Sequence, residues 1–198
     1  NRGNAKKKIF RNKKDYDFFL SLLDCYLNTH SNNRPRWIKK NYAISIKLFA
    51  FCLMPNHFHF CLQQNAERSM AEFLRSLTVR YAYYFNKKYS SVGHLFQDTY
   101  KARLITSEVD LLNLTRYIHL NPKDTHSDIM RYTYSSFVDY VMENRHTWLY
   151  ATDMTLLFGD IFNIPTTQVK KQYHKFVLYD QSKGLHRRAV SSSIIPTR

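Results

Sequence analysis

Residues 54–60 read MPNHFHF. His57 and His59 are one residue apart. On a strand both imidazoles therefore project from one face, while Phe58, Phe60 and Leu62 project from the other and can bury. Two neutral imidazoles side by side can ligate one divalent cation, whereas two imidazoliums repel. The same spacing also describes two ordinary polar positions on an exposed sheet face, and so short a motif does not choose between them. Further along, Asn113, Tyr117 and Asn121 recur every four residues and fall on one stripe of a helix. Tyr117 thus presents a phenol beside an amide. A tyrosine oxygen can attack phosphorus and form a covalent intermediate. A metal on the histidine pair can polarise the phosphate and neutralise developing charge. The competing reading of Tyr117 is a packed aromatic with a hydrogen-bonded hydroxyl. With 15 tyrosines in the chain, spacing does not single it out.

The elements that position these residues follow from periodicity. DYDFFLSLLDCYLN (15–28) puts Phe18, Phe19, Leu22, Leu23 and Tyr26 on one helical stripe. YAISIKLFAFCLM (42–54) is rich in β-branched and aromatic residues and reads as a strand. Pro55-Asn56 marks a tight turn, so HFHFCLQ (57–63) is an antiparallel partner strand. A long helix over 69–88 is opened by Ser69 and Glu72 at capping-box spacing. Its apolar stripe is Met70, Phe73, Leu74, Leu77, Tyr81, Tyr84 and Phe85. TYKARLI (99–105) reads as a strand. A helix from Ser107, with Asp110 three residues on, must stop near Pro122. Leu111, Leu114 and Ile118 are its expected core face. A further strand is expected at or before Asn1. After residue 130 the texture changes to short helices over 134–141, 151–159 and 165–178, then to a polar, loosely held tail over 181–198. This order predicts an α+β fold, an antiparallel sheet with helices on one face and a helical C-terminal extension over 131–180.

Composition narrows the partner. The 198 residues hold 30 Lys and Arg against 15 Asp and Glu, a formal charge of +15. Such an excess predicts a polyanionic partner bound largely through counterion release. The 15 Tyr and 14 Phe suit stacking on unpaired bases. Candidate DNA contacts are Arg34, Arg36, Trp37 and Lys39 in the basic connector 33–41, Arg75, Arg80, Tyr83, Lys87 and Lys88 on the long helix, and Lys101. Trp37 and Tyr83 are the candidate stacking platforms. Basic residues on a helix are also the ordinary way to solvate a face. Cys25, Cys52 and Cys61 have no metal-ligand spacing and suit a reducing cytoplasm. The longest apolar run, LFAFCLM (48–54), is too short to span a bilayer. Neither a membrane nor a small-molecule substrate is expected.

Taken together, MPNHFHF and RYIHLNP (116–122), in that order, resemble the REP-associated tyrosine transposases, a branch of the HUH single-strand endonucleases related to the small insertion-sequence tyrosine transposases. NRGN (1–4) with IF (9–10), GHLFQDTYKARLI (93–105), YSSFVDY (134–140) and LLFG (156–159) extend the resemblance over most of the chain. It implies a ferredoxin-like nuclease domain over 1–130. It also implies His57 and His59 as metal ligands, Asn121 as a third ligand one turn past the tyrosine, Mg²⁺ or Mn²⁺ as the metal, and Tyr117 as nucleophile. The implied reaction cleaves single-stranded DNA beside a hairpin, leaving a 5′-phosphotyrosine link and a free 3′-hydroxyl. The position of Asn121 before Pro122 biases it away from helical geometry. The chain departs from the family at Asp98-Thr99, where Gly-Arg is common, which weakens an expected phosphate contact, and after Pro122, at KDTHSD. The alternative from another class is a non-catalytic, domesticated protein that binds nucleic-acid hairpins. The sequence leaves open the DNA sequence recognised, monomer against homodimer, and whether strand transfer follows cleavage.

Overall fold

The computed structural model describes residues 1–31, 34–124, 126 and 128–179; the expected polar tail over 181–198 lies outside them. Two strands form the centre, β1 (Ile46–Met54) and β2 (His57–Gln64), joined through Pro55-Asn56 and paired antiparallel with Met54 opposite His57, Cys52 opposite His59 and Leu53 opposite Phe58. β1 is buried almost throughout. The reason is that backbone segments flank the hairpin on both sides without forming full strands. On the β2 side, Asn1 and Phe58 exchange N–H···O bonds of 2.9 Å, and Arg2 bridges His57. Segment 95–97 continues outward, with Gly3 opposite Phe96 and the Gln97 amide donating to the Arg2 carbonyl. On the β1 side, the Leu53 amide donates to Tyr134 and the Ser136 amide to Phe51, with Cys52 opposite Ser135. The residue before Asn4 must be glycine here, because a Cβ on Gly3 would sit 2.3 Å from the Lys7 carbonyl oxygen.

The expected strand over 99–105 is absent; those residues have no regular structure. Two contacts explain it. The Asn1 side-chain amide bonds the carbonyls of Asp98 and Thr99, closing the sheet edge there. Arg103 then forms a two-pronged pair with Asp110 at 2.6 and 2.9 Å, drawing the segment toward the next helix.

The helices are α1 (Lys13–Leu27), α2 (Ser69–Tyr89), α3 (Glu108–Leu120), α4 (Phe137–Val141), α5 (Ala151–Phe162) and α6 (Thr166–Leu178). The α+β class is as expected, with the helical C-terminal part in place. The helices are not confined to one face, however. Phe19 of α1 packs on Phe58 and Phe60 and meets Tyr81 of α2, so α1 and α2 cover that side. α3 lies over the opposite side, where Tyr117 meets His59. α1 is capped by an Asn12–Asp15 capping box. The expected Ser69–Glu72 box does not form: the Ser69 hydroxyl donates to the Ala66 and Ser45 carbonyls, and Glu72 pairs with Lys40 instead. At α3 the Ser107 oxygen does accept from the Asp110 amide, and the helix ends at Leu120 ahead of Pro122.

Candidate active site

The hairpin register places both histidines on one side of β2, half-buried, with ring centres 4.9 Å apart. The Asn56 side-chain oxygen lies 2.7 Å from His57 Nδ1. An oxygen there calls for a proton on Nδ1, which leaves the Nε2 lone pair free, the usual way a second residue orients a ligating imidazole. Burial is the main reason the His57 imidazolium is disfavoured, and the charge of nearby Arg2 adds to it. For His59, burial and then the neighbouring His57 push the pKa down to about 3. Both rings are thus held neutral near pH 7, the form that ligates cations.

α3 delivers the other two residues. Its buried side is Leu112, Thr115, Ile118 and His119. Leu111 and Leu114, expected in the core beside Ile118, are only partly buried. The helix is rotated toward the side that carries His119. That rotation leaves Tyr117 55% exposed, with its ring centre 5.6 Å from that of His59. Among the described residues no other tyrosine ring contacts either histidine of the pair. Asn113 on the same stripe is half-buried. Asn121 keeps helical backbone angles despite preceding proline (φ −50°, ψ −37°), because the chain passes directly into a 3₁₀ turn over Asn121–Asp124. Its side-chain N–H donates to the Tyr117 carbonyl at 2.9 Å. That leaves its oxygen toward the imidazoles, where it favours both protonated forms.

The donor set is therefore two neutral imidazole nitrogens and one amide oxygen. Among the described residues no group of three or more His, Cys, Asp and Glu could hold a metal. The set suits a cation whose remaining positions are filled by water and phosphate oxygens. Mn²⁺ accepts imidazole readily, and Mg²⁺ prefers oxygen. Cysteine chemistry is disfavoured: all three thiols are buried and form no disulfide, and burial pushes Cys52 and Cys61 up to about 12.

The candidate DNA contacts divide into groups. Trp37, Arg80, Tyr83, Lys87 and Lys88 line one surface cleft with Phe18 and Tyr84. It lies on the α1–α2 side, away from Tyr117. Arg80 sits 4.1 Å over the Trp37 ring, while Tyr83 is 64% exposed. Lys88 is engaged with buried Asp15, Tyr84 and Asn12. Arg34 turns inward to the Asn28 carbonyl. Arg36, Lys39, Arg75 and Lys101 are exposed. Sequence reasoning missed Asn56, Arg2 and His119. Only Asn56 had a local signal, its adjacency to the first histidine; the other two depend on pairing and helix rotation.

The site is thus a histidine pair on one face of the sheet, faced by a helix-borne tyrosine. Residues 26–121 match the family described as "Transposase IS200 like". The matched segment contains β1, β2, α2, α3, both histidines, Tyr117 and Asn121. Over that segment the chain is similar to the IS200-like transposases, which supports a transposase role with DNA as partner. Comparison with curated proteins and with solved structures yields no match. No helix among the described residues is long and apolar enough to cross a membrane.

Proposed function

We propose that this chain is a metal-dependent single-strand DNA endonuclease and strand transferase, of the REP-associated tyrosine type, acting beside DNA hairpins. The observation that carries the reading is the approach of the exposed Tyr117 ring to His59, at 5.6 Å, within one chain. Tyr117 is the nucleophile. Its oxygen bonds to phosphorus as the P–O3′ bond breaks; the phenolic proton passes to water, and the 3′ oxygen takes up a proton and leaves as a hydroxyl. The phosphodiester is kept as a 5′-phosphotyrosine link, so a second 3′-hydroxyl can reverse the step without external energy. Mg²⁺ or Mn²⁺ held by His57, His59 and Asn121 would neutralise charge on the phosphate oxygens. Asn56 orients His57, and Asn121 ties that ligand set to the Tyr117 backbone. Half-burial of the histidine face excludes bulk water and strengthens each charge interaction there. The cleft on the α1–α2 side, with the exposed Arg36, Lys39, Arg75 and Lys101, offers phosphates and bases further contacts.

The test is incubation with single-stranded oligonucleotides carrying hairpins, with Mg²⁺ or Mn²⁺, followed by denaturing electrophoresis for a covalent protein–DNA adduct. Wild type forms it. Tyr117→Phe, which keeps the ring and deletes the attacking oxygen, does not, yet binds the oligonucleotide nearly as well. An adduct that survives in Tyr117→Phe moves the role to another tyrosine, with Tyr100 and Tyr84 next to be replaced. Wild type that binds hairpins but forms no adduct with any metal makes the protein a hairpin-binding module instead.

A further inference from the structure

We infer that Arg2 is a phosphate-binding residue of the same site, contacting the DNA backbone beside the histidine pair. The inference rests on the reading of that face as the DNA-cleaving one.

Arg2 stands directly opposite His57 in an antiparallel bridge. Residues opposite each other in such a pair carry their side chains on the same face, with Cβ atoms about 4.5–5.5 Å apart. The guanidinium is therefore delivered to the face that holds His57, His59 and Tyr117. Its backbone has little freedom to leave. Asn1 and Phe58 are bonded on one side, and Gln97 donates to the Arg2 carbonyl at 2.9 Å on the other. Gly3 is clamped against Lys7 and Ile9 too tightly for any side chain. The side chain, by contrast, is exposed, and among the described residues its guanidinium has no carboxylate or carbonyl partner. Arg103, in comparison, is neutralised by Asp110. No ion pair or hydrogen bond within the described residues accounts for a cation placed at this position. The placement makes physical sense once a phosphodiester lies on the face: a guanidinium fork then bonds its oxygens, fixes the strand and offsets its charge.

Two measurements test this. In the Tyr117→Phe background, affinity for a short hairpin-bearing single-stranded oligonucleotide is measured at several salt concentrations. Arg2→Gln lowers the slope of log affinity against log salt by about 0.7, the contribution of one phosphate contact in a single strand, and Arg2→Lys leaves it in place. In the otherwise wild-type protein, Arg2→Gln slows adduct formation at saturating DNA by about a hundredfold, the lower end for losing one positioned charge donor. Arg2→Lys recovers most of that rate, and Arg131→Gln, on an exposed arginine paired with Asp128, is unchanged. An unaltered salt slope in Arg2→Gln overturns the inference whether or not the wild type cleaves. Equal adduct rates for wild type and Arg2→Gln also overturn it. Failure of wild type to form any adduct, with the slope change present, removes the proposed chemistry but leaves Arg2 as a DNA contact.

Discussion

Replacing Tyr173 by Phe removes one oxygen from the centre of a buried relay that holds the tyrosine-bearing helix. His119 lies fully buried between Tyr117 and Asn121 on α3. Its Nδ1 is 3.0 Å from the Tyr173 hydroxyl of α6 and its Nε2 is 2.8 Å from Ser136 Oγ. Burial pushes the His119 pKa down to about 3, so one ring proton serves two partners. The pattern that satisfies every group runs in one direction. Ser136 donates to Nε2, Nδ1–H donates to Tyr173, Tyr173 donates to Thr115 at 2.9 Å, and Thr115 donates to the Leu112 carbonyl at 2.8 Å. Phe at 173 keeps the ring's contacts with Tyr140 and Phe158 and opens almost no cavity. It leaves Nδ1–H without its acceptor in a site closed to water. An orphaned buried donor costs about 1–3 kcal/mol. For a chain of this size each kcal/mol moves the melting temperature by about 2–4 °C, so a loss of about 2 kcal/mol lowers it by about 4–8 °C. The assay is paired thermal melts of wild type, Tyr173→Phe, Thr115→Val and the double variant. Thr115 and Tyr173 share one hydrogen bond, so the double variant should lose less than the sum of the singles. A melting temperature within a degree of wild type for Tyr173→Phe, or strict additivity, refutes the relay.

Other consequences are equally measurable. His57→Ala should abolish the adduct while leaving DNA binding largely intact, because it removes a ligand and not a basic contact; adduct formation by His57→Ala would exclude the histidine from the chemistry. DNA binding by the wild type should fall steeply with salt and favour single strands or hairpin junctions, and salt-insensitive binding or equal affinity for blunt duplex would contradict that. Asp15→Asn should destabilise by about 3 kcal/mol, read by urea midpoint, since it breaks a buried pair with Lys88. Burial alone would raise the Asp15 pKa, but Lys88, the Arg11 amide and Tyr89 hold it below the ordinary carboxylate value. Its folded pKa is depressed, so its contribution is full above about pH 4 and is lost as pH falls through the folded value. The acid limb of the stability curve should therefore be flatter in Asp15→Asn, and an unchanged limb would assign acid sensitivity elsewhere.

The hairpin and the histidine face were legible because alternation over 57–63 needs only local spacing, and the buried Phe58 with half-buried His59 follows it. The rotation of α3 was not legible. Leu111 and Leu114 are good core residues by type, yet His119 takes the buried position because Tyr173 and Ser136, 54 and 17 residues away, supply its hydrogen bonds. Residues 99–105 look like a strand by composition, but Leu104 is 82% exposed and Arg103 is captured by Asp110. Pairing of residues 134–136 with the hairpin escaped the sequence, since isolated bridges need too few residues to leave a periodic pattern, whereas residues 1–3 pair close to where a further strand was expected, though only through isolated bridges. Tyr117 was singled out by likeness to a family, whereas its separation from the other tyrosines is a matter of position. Tyr81, Tyr140 and Tyr173 are fully buried, and Tyr84 is bonded on the α1–α2 side.

The cost of exposing Tyr117 bears on its role. A half-exposed tyrosine ring forgoes apolar burial that its neighbours Ile118 and His119 obtain completely. The exposure follows from how α3 is held, on its inner side by Thr115 and His119 and at its flank by Arg116, which donates to the Phe176 carbonyl at 2.7 Å. Those contacts fix the rotation of the helix, and the fixed rotation turns residue 117 toward the histidines. The C-terminal helices thus act on the site from behind: α6 grips the inner face of α3, while residues 134–136 hold the outer edge of β1, whose register sets both imidazoles. A nucleophile on a helix must approach within a few ångströms of the phosphate along a defined line. Bracing of that kind supplies the line without placing any C-terminal side chain among the reacting groups. Weakening it should therefore lower the rate of adduct formation at saturating DNA and leave DNA affinity nearly unchanged, and a Tyr173→Phe protein that instead lost affinity at an undiminished rate would show that α6 serves the DNA rather than the tyrosine.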